Sequence, residues 1–392
     1  MCVISGASMP TERRRPIMAT EPSTTATPAP APAPAFVSLG MVVLDEIRFP
    51  DGRILRDVPG GSGFYGTLGA RLAVPQDEAG SVCCLITAGS DFPASVRRQI
   101  EGWGTRVHLE EVPGKPSTRG LLEYEDDVFG KKTFRYTTPP LHPDVARFPK
   151  DLLRASVIHA LATPEDLGRH AETLANLRSS GGAGGAGEPR PLIAWEPSPI
   201  NIRDREQAHM SAVGLCDICS PNDHELLRMM GATERGPGVP YDRRAVENYT
   251  RRLAGDPGSP PEPAGRRRVT VIRCGEEGCL VIPRRGSGPV WLPPFHGAGS
   301  ARVVDATGAG NAFLGAFAVA LARTDDEVLA AAYGAVAAGF VVEQVGPPAR
   351  ELVGGRELWN GEAFGDRLRQ YGAVAGALTT PGTRRGDPGW PS

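Results

Sequence analysis

The sequence predicts a single large α/β body: a mostly parallel sheet covered by helices on both faces, with a small β lid. Three observations carry this. Short apolar runs of strand length alternate with helical stretches between residue 36 and about residue 372. Two polar segments with turn signals interrupt the alternation near its start. Two late stretches rich in Ala and Gly, about 309–323 and 326–343, read as helices whose small side chains allow close packing.

A length of 392 residues would suit two or three domains, so composition must separate the body from its appendages. Residues 1–35 end in a Pro/Ala/Thr tract that buries no face and reads as disordered. Residues 179–191 and 233–268 read as flexible insertions, the second holding a short helical stretch at 242–254; 373–392 reads as a flexible tail. Within the body, AFVSLGMVVLD (35–45) reads as one buried strand. Residues 46–58 carry Asp51-Gly52 between apolar flanks, a hairpin signal. SVCCLITAG (81–89) is a strand followed by the helical PASVRRQIEGWG. Residues 105–138 read as three further strands, which with 46–58 form the lid. SVIHALA, PLIAWEPS, GLCDICSPN and RVTVIRCG continue the buried series. A lid there would cover the carboxyl ends of the strands, where open α/β sheets bind ligands.

Bulk properties exclude several functions. With 40% hydrophobic and 22% charged residues, the chain holds enough apolar material for a core. Lys plus Arg is 43 against 45 Asp plus Glu, net charge -2, without the basic surplus that neutralises phosphates, so nucleic acid is not an expected partner. No run reaches the roughly 18 apolar residues of a membrane helix, so no membrane association is expected. The first apolar patch precedes Glu12 and the arginines, the reverse of the secretory order, which points to the cytoplasm. Of the seven cysteines (Cys2, Cys83, Cys84, Cys216, Cys219, Cys274, Cys279), the last four have the spacing of a split zinc site. On a strand, however, residues three apart point to opposite faces, so buried thiols without disulfides are expected.

The chemistry concentrates in Val303–Phe313 (VVDATGAGNAF). A strand is expected to end at Asp305, with a Gly-rich turn after it and a helix from Ala309. Gly308 and Gly310 permit positive φ and close backbone approach, and the helix mouth then presents amides to a phosphoryl group. Competing motifs are weaker. Gly61-Ser62-Gly63-Phe64-Tyr65-Gly66 fits G-x-G-x-x-G, but Pro59 and a polar hairpin precede it where a dinucleotide fold needs strand, turn and helix. None of Lys115, Lys131, Lys132 and Lys150 closes a P-loop. His159 and His296 stand alone and read as packing or surface residues.

Asp305–Asn311 resembles the D-T-x-G-A-G-D signature of the ribokinase family, the pfkB carbohydrate kinases, which include adenosine kinase. Other segments agree in order. Phe36–Asp45 is similar to the first strand, whose acidic residue holds a substrate hydroxyl. Pro59-Gly60-Gly61-Ser62 resembles the di-glycine substrate hinge, and Ala88–Phe92, with Asp91, resembles the G-x-D-x-x-G segment. Asn222-Asp223-His224-Glu225 matches N-x-x-E, and Arg273–Gly278 is similar to the strand-turn that contacts nucleotide phosphates. The variant flank DATGAGNAFLGA resembles a fungal branch that includes the yeast killer-virus-maintenance protein.

The resemblance implies a ribokinase-like three-layer fold and ATP with Mg²⁺ as cofactors. It implies Asp45, Gly60, Gly61 and Tyr65 at a small hydroxyl substrate, sugar or nucleoside. Asn222, Glu225, Arg273, Gly275, Gly278 and Thr307 would lie at the nucleotide, and Gly308, Ala309, Gly310 and Asn311 at the transferring phosphoryl group. Glu225 and Asp305 would hold Mg²⁺ through water. By the same analogy, lid edges pair into a homodimer. Three positions depart from the pattern. Asn311 replaces the Asp that takes the substrate proton, and an amide can orient a hydroxyl but not deprotonate it. Tyr65 stands where an Asn often grips a sugar hydroxyl, and Arg273 stands where Thr is common. Two functions follow: a phosphotransferase weakened at its base, or a nucleotide-binding scaffold acting through a protein partner.

Overall fold

The computed structural model describes residues 33–126, 132–180, 189–233, 239–255, 268–284 and 288–379. The expectations for 1–32, 127–131, 181–188, 234–238, 256–267 and 380–392, with Cys2 and Lys131, lie outside the described residues.

The strands are β1 (Phe36–Ser38), β2 (Val43–Arg48), β3 (Ile54–Gly60), β4 (Val82–Ala88), β5 (Arg106–Glu111), β6 (Arg119–Tyr124), β7 (Lys132–Tyr136) and β8 (Val157–Ala162). After them come β9 (Leu192–Pro197), β10 (Ile218–Cys219), β11 (Val269–Arg273), β12 (Cys279–Ile282), β13 (Val290–Leu292), β14 (Arg350–Val353) and β15 (Arg356–Trp359). The helices are α1 (Ser62–Ala73), α2 (Ala94–Glu101), α3 (Pro164–Ser179), α4 (Glu206–Val213), α5 (Asp223–Met229), α6 (Arg243–Ala254), α7 (Ala309–Thr324), α8 (Glu327–Val341) and α9 (Phe364–Thr379).

Nine strands form the main sheet in the order β13-β12-β11-β10-β9-β8-β1-β4-β5. Pairing is parallel from β11 to β5 and antiparallel only at β11–β12 and β12–β13. Alternation along each strand divides the interior in two. Cys84 and Ile86 join residues of α1, α7, α8 and α9 in one core, while Cys83 and Leu85 join residues of α3 to α6 in the other. The six described cysteines are buried, free thiols distributed between these cores. The Ala/Gly-rich helices pack as closely as their composition predicts. A Cβ at Gly69 would overlap the Ala312 carbonyl, and one at Gly315 the Gly66 carbonyl, so α1 and α7 cross nearly backbone to backbone.

Several expectations are corrected. The single strand at 35–45 is two: β1 lies in the main sheet and β2 in the lid. The chain turns between them because Ser38 Oγ accepts the Gly40 amide at 2.9 Å and Gly40 has no Cβ to strike Ser62 and Gly63. The lid is the sheet β3-β2-β6-β7, and its β2–β6 pair is parallel. The strand β5 does not belong to the lid. It pairs with β4 at the edge of the main sheet, with Val107 and Leu109 against the core. The helical stretch expected at 242–254 is present as α6, capped by Asp242, but buried Val246, Thr250 and Leu253 anchor it to the body where a flexible insertion was expected. The helix α9 carries ordered structure past residue 372, to Thr379. The G-x-G-x-x-G segment does follow a strand and open a helix, since β3 ends at Gly60 and α1 begins at Ser62. That strand is an antiparallel lid strand, and Gly63 and Gly66 serve packing against Gly40 and His159. Among the described residues, no helix is long and apolar enough to cross a membrane.

Candidate active site

Ser38 at the end of β1, His159 within β8, Glu196 near the end of β9, Ser220 just after β10 and Arg273 at the end of β11 form a chain of contacts that reaches the start of α7. Asp305 does not end a strand; it lies in an irregular segment pinned by the Val342 carbonyl, which accepts the amides of Val304 and Asp305 at 2.7 and 3.1 Å. Gly308 caps α7 at φ 80, the left-handed region glycine favours, and a Cβ there would overlap the Tyr65 ring. The first i−4 bond of the helix runs from the Ala312 amide to the Gly308 carbonyl at 3.0 Å. The amides of Gly310 and Asn311 precede it and face the helix mouth without an i−4 acceptor. Asp305 Oδ1 accepts both the amide and the hydroxyl of Thr307, at 3.0 and 2.7 Å. From the lid, Lys132 Nζ reaches Asp305 at 3.3 Å and also donates to Thr307. The lid thus touches the turn through a charged contact.

Behind the helix mouth lies a buried polar chain. Ser38 Oγ is 2.8 Å from His159 Nδ1, and His159 Nε2 is 3.3 Å from Glu196 Oε2. The same carboxylate oxygen accepts Asn311 Nδ2 at 2.6 Å, while Glu196 Oε1 pairs with Arg273 at 2.8 Å. Arg273 also donates to the Ser220 carbonyl at 2.9 Å and pairs with Glu225 at 3.3 Å. Burial alone would raise the Glu196 carboxyl, but the Arg273 charge and the bonds from His159 and Asn311 bring it down to about 2. Burial pushes Glu225 up to about 7; the Glu196 charge adds to that push and Arg273 opposes it. One guanidinium therefore balances one full carboxylate, and the second carboxyl sits near its titration point.

Glu225 is also half of a capping box. Its amide donates to Asn222 Oδ1 at 2.7 Å and its carboxylate accepts the Asn222 amide at 2.8 Å. The N-x-x-E spacing has a local explanation in the α5 cap, and that cap aims Glu225 at Arg273. The guanidinium itself lies against Gly310, where a Cβ would overlap it.

The lid side is different. Asp45 is 8% exposed, and its Oδ1 is buried without a hydrogen-bond partner among the described residues. A register shift between Asp45 and Ile47 bulges β2 here. The carboxylate fits between the backbones of Gly60 and Gly120, at each of which a Cβ would overlap an oxygen. Burial pushes the Asp45 carboxyl up to about 7. Burial also holds the Tyr65 hydroxyl protonated, with the charges of Asp305 and Asp45 acting in the same direction.

The remaining predicted residues fall around these two groups. Ala309 is the first residue of α7. Gly61 caps α1 at φ 87, and a Cβ there would overlap the Met41 carbonyl. Gly275 (φ 52) and Gly278 (φ 86) shape the turn from β11 to β12, closed by the Cys274 amide on the Gly278 carbonyl at 2.8 Å. Asp91 accepts the amide and hydroxyl of Ser117, both at 2.7 Å, and ties down the start of β6. Sequence reasoning missed Glu196, Gly120 and Lys132, and read His159 as a packing or surface residue. His159 is indeed fully buried, but bonded at both nitrogens. A signal for Glu196 was present: a charged residue closing an apolar strand.

Residues 89–350 match the pfkB family carbohydrate kinase. The chain belongs to the pfkB family. It is 30% identical over 358 residues to an uncharacterized protein of Schizosaccharomyces pombe, covering 86% of this chain and 92% of that protein. It is 28% identical over 360 residues to Protein MAK32 of Saccharomyces cerevisiae, covering 87% and 92%. Among solved structures, ribokinase from Giardia lamblia superposes with a TM-score of 0.60 at 15% identity, over 80% of this chain and 94% of that one. The ribokinase-like fold and the fungal kinship expected from DATGAGNAFLGA both hold. Within the pfkB family fold, the Asn311 amide in this chain is bound to a buried carboxylate supplied by β9.

Proposed function

We propose that this pfkB family chain is a slow ATP-dependent phosphotransferase acting on a small hydroxyl compound of the sugar or nucleoside class. The observation that carries the reading is Asp45. A buried carboxylate with an unpartnered oxygen is costly unless a ligand donates to it, and a substrate hydroxyl is such a donor. Gly60 and Gly120 give the Asp45 carboxylate room, Gly61 follows in the same turn, and Tyr65 forms the wall toward α7.

The residues present fit a nucleotide with Mg²⁺. Gly308 and Gly310 leave the backbone open at a helix mouth, and the Arg273 guanidinium stands beside it. Thr307, Gly308, Ala309 and Gly310 would hold the transferring group, and Arg273 with the Gly275–Gly278 turn the rest of the triphosphate. Asn222, Glu225 and Asp305 would order the metal through water. When bound, the nucleotide supplies the phosphoryl group and the metal offsets charge on its oxygens. This chain's own part is to orient and to stabilise. Asp45 accepts a hydrogen bond from the acceptor compound and so holds it in place. The amides of Gly310 and Asn311 meet developing negative charge. Asn311 orients the hydroxyl without deprotonating it, which at a typical worth of about 10²–10⁴-fold for a general base leaves a low turnover.

A second reading is a nucleotide-binding scaffold with a protein partner, favoured by the pairing of Arg273 with Glu196 and Glu225 and by the Tyr65 ring over Gly308. Purified protein with ATP, Mg²⁺ and a panel of sugars and nucleosides separates the two. Slow formation of a phosphorylated acceptor is expected, lost in Asp45→Asn. A thermal shift with ATP–Mg²⁺ but no product on any acceptor would select the scaffold.

A further inference from the structure

We propose that Glu196 is a positioning residue that fixes the orientation of Asn311 and, by carrying the buried negative charge itself, obliges position 311 to be a neutral amide. The argument starts from hydrogen-bond inventory. An ionised carboxylate offers acceptors only. At 2.6 Å from Glu196 Oε2, Asn311 must therefore present its NH₂ end, which leaves its carbonyl oxygen as the end free to meet a hydroxyl. The orientation of a key amide at the helix mouth is thus set by a residue 115 positions away.

Charge balance extends the argument. The groups facing Glu196 are Arg273 from β11, His159 from β8, Asn311 from α7, and Glu225 from α5 through its charge. Arg273 is already shared with Glu225, and His159 is held on its other side by Ser38. An Asp at 311 would set two carboxylate oxygens at hydrogen-bond spacing, where the Arg273 guanidinium is already divided between Glu196 and Glu225. One would have to keep a proton. The buried charge can reside at 196 or at 311, but not at both.

Installing a carboxylate at 311 by itself would therefore not create a free base; exchanging the pair would. The catalytic consequence rests on the phosphotransferase reading above, whereas the pairing rests on geometry, so its test uses unfolding. Wild type, Asn311→Asp, Glu196→Gln and the double variant are unfolded in urea at pH 5, 6.5 and 8, as full chains without nucleotide. In Asn311→Asp the shared proton gives one carboxyl a folded pKa above its unfolded value. That stabilisation is complete below the unfolded pKa and is lost as pH rises toward the folded one. The folding constant of Asn311→Asp relative to wild type should fall with pH, by up to about tenfold per unit for one proton. Adding Glu196→Gln should restore most of the loss and flatten the profile.

Parallel profiles for Asn311→Asp and wild type would overturn the proposal, as would a double variant no better than the sum of the singles. If Asn311→Asp does not fold, a folded double variant supports the pairing and an unfolded one overturns it. Turnover is measured separately. A restored profile without turnover on any acceptor counts against the phosphotransferase reading and leaves the pairing standing.

Discussion

Asp45 and Glu196 are both buried carboxylates at the same site, 8% and 3% exposed, yet they sit at opposite ends of the titration scale. The lid carboxyl is pushed up to about 7 and the sheet carboxyl down to about 2. Burial acts on both in the same direction. What separates them is partners: Glu196 has a guanidinium, an imidazole and an amide, while Asp45 faces two glycines. On the sheet side both Glu196 oxygens are partnered within the protein. The lid side is completed only by something that donates a hydrogen bond.

The contrast can be broken most severely at Arg273. Arg273→Met would leave Glu196 and Glu225 buried without their shared cation, and breaking such a pair typically costs about 3–5 kcal/mol. Urea unfolding at pH 7.5 reads this directly; a loss below about 1 kcal/mol would mean that the two carboxylates do not depend on it. Asp45→Asn should act with the opposite sign. The Asp45 carboxyl has a folded pKa raised from 3.8 to about 7, so the folded state pays for its ionisation progressively across that window. The variant should gain stability relative to wild type as pH rises from about 4, levelling above 7 at no more than about 4 kcal/mol. Thermal unfolding at pH 4, 5.5 and 8 checks the trend, and a constant difference would show Asp45 to be partnered in solution. The smallest effect belongs to the bridge between the two sides. Lys132 is part-exposed, so Lys132→Met should change global stability by less than about 1 kcal/mol. Faster amide exchange in β6 and β7 would nevertheless reveal the loss of the lid contact to Asp305 and Thr307; unchanged exchange would show that the contact does not hold the lid.

Much of this site was legible because its signals are local. The glycines at 308 and 310, and Asn222 three residues before Glu225, speak through spacing in one short segment, and the structure uses them as a helix mouth and a cap. The di-glycine at 60–61 was readable for the same reason. Other features were not. Residues 35–44 are apolar apart from Ser38, and nothing in that pattern shows that Gly40 carries the chain from one sheet to another. The β5 segment carries the polar composition of an edge strand, which reads the same whether the edge belongs to the lid or to the main sheet. Glu196 and His159 lie 37 positions apart, and Asn311 lies 115 beyond Glu196; only adjacent parallel strands and the late helix bring them together.

By itself the sequence determined the α/β alternation, the tight α1–α7 crossing through its small residues, and a glycine-capped helix start, because each depends on periodicity or on backbone freedom within a few residues. Tertiary structure alone decided which carboxylate is charged. A charge inside a protein is set by the groups that surround it, and for Asp45 and Glu196 those groups come from distant parts of the chain.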